Sequence, residues 1–272
     1  FPKTKSSPRA PPSPTGKPAS SSLYGNYNIQ EHLCAHLTTF LLLAVLKKNL
    51  VRYLQLFSNN CIIIAVIGVN MNKTLPDLPS YTFLLDYYRE YVNPDAKIAR
   101  EVRAGTIIRI KRDFYITKQA IDGGLPRSLI ANCLYGPSYV SFERALRFYG
   151  LIPEGVPGIT SATLGKHRSK RFITPLGSFF YRDVSELAYP EDVVWVTSGR
   201  WKFLIATKEK AICDKLSKIP GVRTKKEIEM LLFEDLRIDE HEFSLLDTTK
   251  LSFLIRLYQS TTLKTLRIYL GL

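Results

Sequence analysis

The chain has 272 residues, 45% of them hydrophobic, and a formal net charge of +14. That length and apolar content suffice for two cores and exclude a chain disordered throughout. The charge favours polyanionic partners, nucleic acid first and an anionic membrane second, with a merely solvated basic surface as the plain alternative.

Residues 1–20 are crowded with Pro, Ser and Lys, a composition that builds no core. Two apolar patches follow, Leu41 to Leu46 and Cys61 to Val69. Each is too short to span a bilayer, and Lys47, Lys48 and Arg52 separate them. The apolar part comes too late for a signal peptide. Ordinary globular patterning begins just after Met71, the first methionine, so residues 1–70 read as a non-native upstream or disordered segment, with translation starting at Met71. A membrane-associated anchor is the rival reading. His32 and His36 flank Cys34 at helical spacing, but no carboxylate or second cysteine completes a ligand set, and no metal is expected. The four cysteines, Cys34, Cys61, Cys133 and Cys213, form no Cys-x-x-Cys pair, which suits a reducing cytoplasm.

Residues 71–120 read as a helix pair followed by a hairpin. Leu84, Tyr87, Tyr88 and Tyr91 recur at helical spacing over 81–91. Asn93, Pro94 and Asp95 then cap, start and electrostatically support a second helix, which Gly105 stops. Ile98, Ala99 and Val102 share one side of it, and Lys97, Arg100 and Arg103 the other. Two β-branched and aromatic runs, 106–110 and 114–116, flank a polar turn and predict a hairpin bearing Arg109, Lys111 and Arg112. Helix, helix, basic hairpin is the order of a winged helix-turn-helix, whose second helix enters the major groove while the wing touches backbone. Cations at both places would neutralise phosphates and release counterions. The candidate DNA-binding set is therefore Lys97, Arg100, Arg103, Arg109, Lys111 and Arg112.

Residues 121–272 predict a mixed α/β domain with a helical C-terminal part. A helix is expected over 125–135. Another is capped by Ser141 and carries Phe142, Ala145, Leu146 and Tyr149 on one buried face. A strand at 158–163, a hairpin of 171–174 and 178–182, and strands at 193–196 and 202–205 follow. Thr207 caps a helix to about residue 216, and the tail from Lys225 is helical in pattern. Lys166, His167, Arg168, Lys170 and Arg171 form a second basic cluster, read as a solvated loop, an extension of a DNA footprint, or a surface for an acidic partner. Catalytic sets are missing: there is no Gly-rich phosphate loop and no nucleophile elbow, and Asp183, Glu191 and Asp192 have no acidic-x-Lys partner. Asp214 reads as a surface or capping residue. No enzymatic activity and no cofactor are expected.

The stretch from Ile130 through Pro137 to Ser141, with Ala145-Leu146 and Tyr149-Gly150-Leu151, resembles the AbiEi-type antitoxins. Ile159-Thr160-Ser161, the hairpin Thr174-Pro175-Leu176-Gly177 with Tyr181-Arg182, and Ala206 to Ala211 resemble further segments of that family, as does the wing from Gly105 to Ile116. The likeness runs from about Leu78 to the C-terminus. Asp113 stands where the family has a wing-tip Gly, which would weaken phosphate contact there. Lys208 replaces a helix-start Pro and leaves the cap intact. The resemblance implies the antitoxin of a type IV toxin–antitoxin system. Its winged helix would repress its own promoter, and the rest would oppose a nucleotidyltransferase toxin without a stable complex. A protein-interaction module without DNA affinity and a metal-dependent nuclease stay open as alternatives.

Overall fold

Ser80 opens the first described helix. Its hydroxyl accepts from the Phe83 amide at 3.1 Å, and α1 runs over Tyr81–Tyr87 in the computed structural model, which describes residues 75–153, 155 and 157–272. The expectations for residues 1–70, the Met71 start and the His32–Cys34–His36 trio lie outside the described residues. α1 ends short of the expected Tyr91. Its last turns tighten into i→i+3 bonds from Arg89 to Asp86 and from Tyr91 to Tyr88 before Asn93 restarts the chain. α2 spans Pro94–Ala104, with the Asn93 side chain accepting from Ala96 and Gly105 closing it at φ 75°, a left-handed position that glycine fills without a Cβ penalty.

The hairpin pairs β1 (Ile107–Lys111) with β2 (Phe114–Thr117), with a bulge between Arg109 and Lys111. Its two faces serve different cores. Ile107 and Tyr115 pack with Leu84, Tyr88 and Ile98 of the helix pair. Ile110, Phe114 and Ile116 join the main core. The outer edge of β2 is bonded as well, because the amides of Tyr115 and Thr117 donate to the carbonyls of Pro79 and Asp77. A ribbon anchored by buried residues on both faces is held in place, and apolar packing runs across residue 120.

Thr117 caps a short helix that the sequence pattern did not reveal, α3 (Lys118–Asp122). α4 (Arg127–Leu134) follows Pro126, and β3 (Ser138–Val140) is too short to show any periodicity. α5 (Phe142–Phe148) is not capped by Ser141 as expected. Thr160 takes that place from the neighbouring strand, its hydroxyl accepting from the Arg144 amide at 3.0 Å and donating to the Ser141 carbonyl at 2.7 Å.

The remaining strands are β4 (Gly158–Thr163), β5 (Lys170–Thr174), β6 (Gly177–Asp183), β7 (Val193–Ser198) and β8 (Trp201–Ala206). They form a six-stranded mixed sheet in the order β5-β6-β4-β3-β8-β7. β4 is buried throughout and lies parallel to β6, while β3 runs antiparallel to β4 and parallel to β8. α6 (Lys208–Ser217), capped by Thr207, packs between α5 and the C-terminal helices. Those are α7 (Lys225–Met230), α8 (Glu240–Ser244), α9 (Thr248–Ile255) and α10 (Thr261–Tyr269), with a π-helical turn over Leu231–Asp235 after α7. Leu246 turns inward as expected of an apolar face, while Leu245 faces solvent. The fold is mixed α+β. No helix among the described residues is long and apolar enough to cross a membrane.

Candidate nucleic-acid interface

α2 anchors through Ile98, which is 3% exposed. Arg100 and Arg103, one turn apart, flank the position opposite Ile98 on the helical wheel and are exposed. Lys97 departs from the expected grouping. Its ammonium bonds the Glu101 carboxylate one turn on and sits over the rings of Tyr91, at 5.2 Å, and Tyr88, at 5.7 Å. The hydrogen bond that Lys97 donates to Glu101 raises the Lys97 pKa, and the bonds donated by Lys97 and Thr106 lower that of Glu101. Lys97 thus seals the junction of α1 and α2 and is not free to meet a phosphate without breaking these contacts.

Arg109 is exposed on the ribbon and pairs in register with Tyr115. The nearby Tyr81 hydroxyl donates to Asp95 in the first turn of α2, and that bond raises the phenol pKa, with Arg109 only a weak opposing charge. Arg112 and Asp113 form the exposed hairpin turn. Lys111 departs from expectation. After the bulge its ammonium reaches back and donates to the Leu134 carbonyl at 2.5 Å, at the C-terminal end of α4. A cation there meets the negative end of the helix dipole. Crowding of that ammonium pushes its pKa below the usual lysine value, although the residue as a whole is exposed.

The six predicted cations therefore divide. Arg100, Arg103, Arg109 and Arg112 are exposed and form no ion pair among the described residues, whereas Lys97 and Lys111 are used by the fold. Exposed guanidinium groups on a helix and on a rigid ribbon can take phosphate oxygens in pairs, which lysine cannot do.

The second basic cluster also divides. Lys166 lies half-buried over the Tyr135 ring at 5.3 Å. Lys170 and Arg171 sit on the edge strand β5, over Phe172 and Phe180 respectively. His167 and Arg168 turn into a cleft with Arg182, Lys215 and Lys218, three residues that sequence reasoning did not single out because β6 and α6 bring them from elsewhere in the chain.

Asp214 is the largest correction. It is fully buried, where the sequence suggested a surface or capping place. Its spacing to Lys210, one helical turn away on a helix with Ala211, Ile212, Cys213 and Leu216 inside, was the signal available. Of the acids weighed for a nuclease, Asp183 binds the Thr163 hydroxyl at 2.6 Å, and Asp192 accepts from Thr207 and pairs with Lys250. No group of three or more metal-ligating side chains occurs among the described residues. No protein-family model matches the chain, and no curated protein matches it.

Proposed function

We propose that this protein binds double-stranded DNA through α2 and the β1–β2 hairpin, used as a winged helix. In this reading it represses its own promoter in the cytoplasm as an AbiEi-type antitoxin, paired with a nucleotidyltransferase toxin. The observation that carries the reading is the set of four exposed arginines without an ion pair among the described residues, Arg100, Arg103, Arg109 and Arg112, on two elements locked to a common core by Ile98, Ile107 and Tyr115. Rigid placement lowers the entropy lost on binding. The resemblance of residues 130–151 to that family supplies the antitoxin half of the reading.

Gel shift on the gene's own promoter across a salt series tests it. Phosphate neutralisation predicts that log K falls with log salt by about 0.9 for each contacted phosphate, and replacing Arg100 and Arg103 by Ala flattens that slope. Absence of binding at low salt overturns the DNA-binding half. Failure of the chain to relieve growth arrest by an adjacently encoded nucleotidyltransferase overturns the antitoxin half.

A further inference from the structure

A cleft of about 690 Å³, lined by no residue of α2 or the hairpin, opens between the β4–β5 loop, β6 and the C-terminal end of α6. Arg168, Arg182, Lys215 and Lys218 line it together with His167 and Ser169, against one carboxylate, Asp183. Both oxygens of Asp183 are committed, one to the Thr163 hydroxyl at 2.6 Å and the other to the His167 amide. Asp183 thus holds the loop in place and offers the cations little. Arg182 and Lys215 share a single oxygen of Glu143, at 3.4 and 2.6 Å, so each keeps donors to spare. Lys218 makes no ion pair among the described residues. Burial holds its ammonium pKa below the usual lysine value, against the opposing charges of Asp214 and Asp183, with Arg182 adding a weaker repulsion. Four cations from three elements therefore converge on one concavity with too little negative charge to balance them.

We infer that this cleft binds a terminal phosphate, the dianionic monoester end of a small phosphorylated molecule or of a 5′-phosphorylated nucleic-acid strand. A monoester carries close to two charges and three acceptor oxygens near neutral pH, whereas an internal phosphodiester carries one. Convergent donors in a concave site suit the first. A duplex backbone is met by cations spread over a convex surface. None of the arginines of α2 and the hairpin lines the cleft, so the two readings are tested by different residues.

Calorimetry on the full chain with pyrophosphate as probe tests the inference, with sodium chloride at matched ionic strength as the reference. Saturable one-to-one binding is expected. Replacing Arg168 and Lys218 by Gln weakens it by about tenfold or more, as loss of two charge-assisted contacts requires. Both residues are exposed, and circular dichroism checks that the variant folds; Arg168→Gln alone serves if the pair does not. R100A/R103A leaves pyrophosphate binding unchanged. Adenosine monophosphate and a 5′-phosphorylated oligonucleotide then separate the two sources, and tighter binding of either supports the site. Response to chloride equal to that to pyrophosphate, or unaltered affinity in the Arg168 and Lys218 variant, overturns it. So does an unphosphorylated oligonucleotide that binds the cleft as tightly as its 5′-phosphorylated counterpart.

Discussion

The Lys210 ammonium lies 3.3 Å from Oδ1 of Asp214, and neither side chain has any solvent exposure. Three hydroxyls complete the pair. Tyr258 donates to Asp214 Oδ1 at 2.6 Å, and Ser141 and Tyr139 donate to Oδ2 at 2.6 and 3.0 Å. Lys210 in turn donates to Tyr258 and to the Ala188 carbonyl, both at 2.5 Å. Burial first, and then the Asp214 charge, push the Tyr139 and Tyr258 phenols well above their usual range and keep both as donors. The network joins α6 to β3, to the start of α5 and to the chain after α9.

A buried pair with every partner in place is stable, but one member left alone is not. Replacing Asp214 by Asn should destabilise the protein by about 3–5 kcal/mol in urea unfolding, because Lys210 then keeps a buried charge without its counter-ion. Lys210→Met combined with Asp214→Leu should recover much of that loss. A single variant indistinguishable from the parent would show that the pair contributes nothing.

Glu143 offers a pH test. Burial alone would raise its pKa, but the hydrogen bond and charge of Lys215, with Arg182 behind, hold it below the ordinary 4.5. A carboxylate with a depressed folded value stabilises the protein fully above the unfolded value, and that contribution disappears as the pH falls through the folded one. Glu143→Gln should therefore be less stable than the parent at neutral pH, with the gap closing below about pH 4.5. Thermal melts over a pH series read this directly, and a gap that widens on acidification would reverse the assignment.

Lys111 and Arg112 are neighbours with different expected roles. Lys111→Met removes the bond to the Leu134 carbonyl and should lower stability by about 1 kcal/mol while leaving the salt slope of DNA binding alone. Arg112→Ala should do the opposite, sparing stability and reducing the slope by about 0.9. Equal slopes for both variants would remove the hairpin turn from the DNA-binding surface.

Ser161 lies on fully buried β4 and its hydroxyl has no hydrogen-bond partner among the described residues. Such a group is desolvated without compensation. Ser161→Ala should raise the melting point, reflecting a gain of about 1 kcal/mol, and a loss instead would mean the hydroxyl is satisfied in solution.

Short-range physics was legible in the sequence. Asn93, Pro94 and Gly105 bound α2, Thr207 caps α6, and the alternation around Pro175-Leu176-Gly177 makes a hairpin, because caps and turns depend on residues within one turn of each other. The α+β class followed from the same patterns. Only the tertiary structure decided which charges are free. Lys97 is captured by Tyr88, Tyr91 and Glu101, and Lys111 by the end of α4. The cap of α5 passes from Ser141 to Thr160, since Ser141 is claimed by Asp214, 73 residues further on. Charge and hydrogen-bonding capacity are written in the residues, but a partner far along the chain is chosen only when the sheet order brings it within 3 Å.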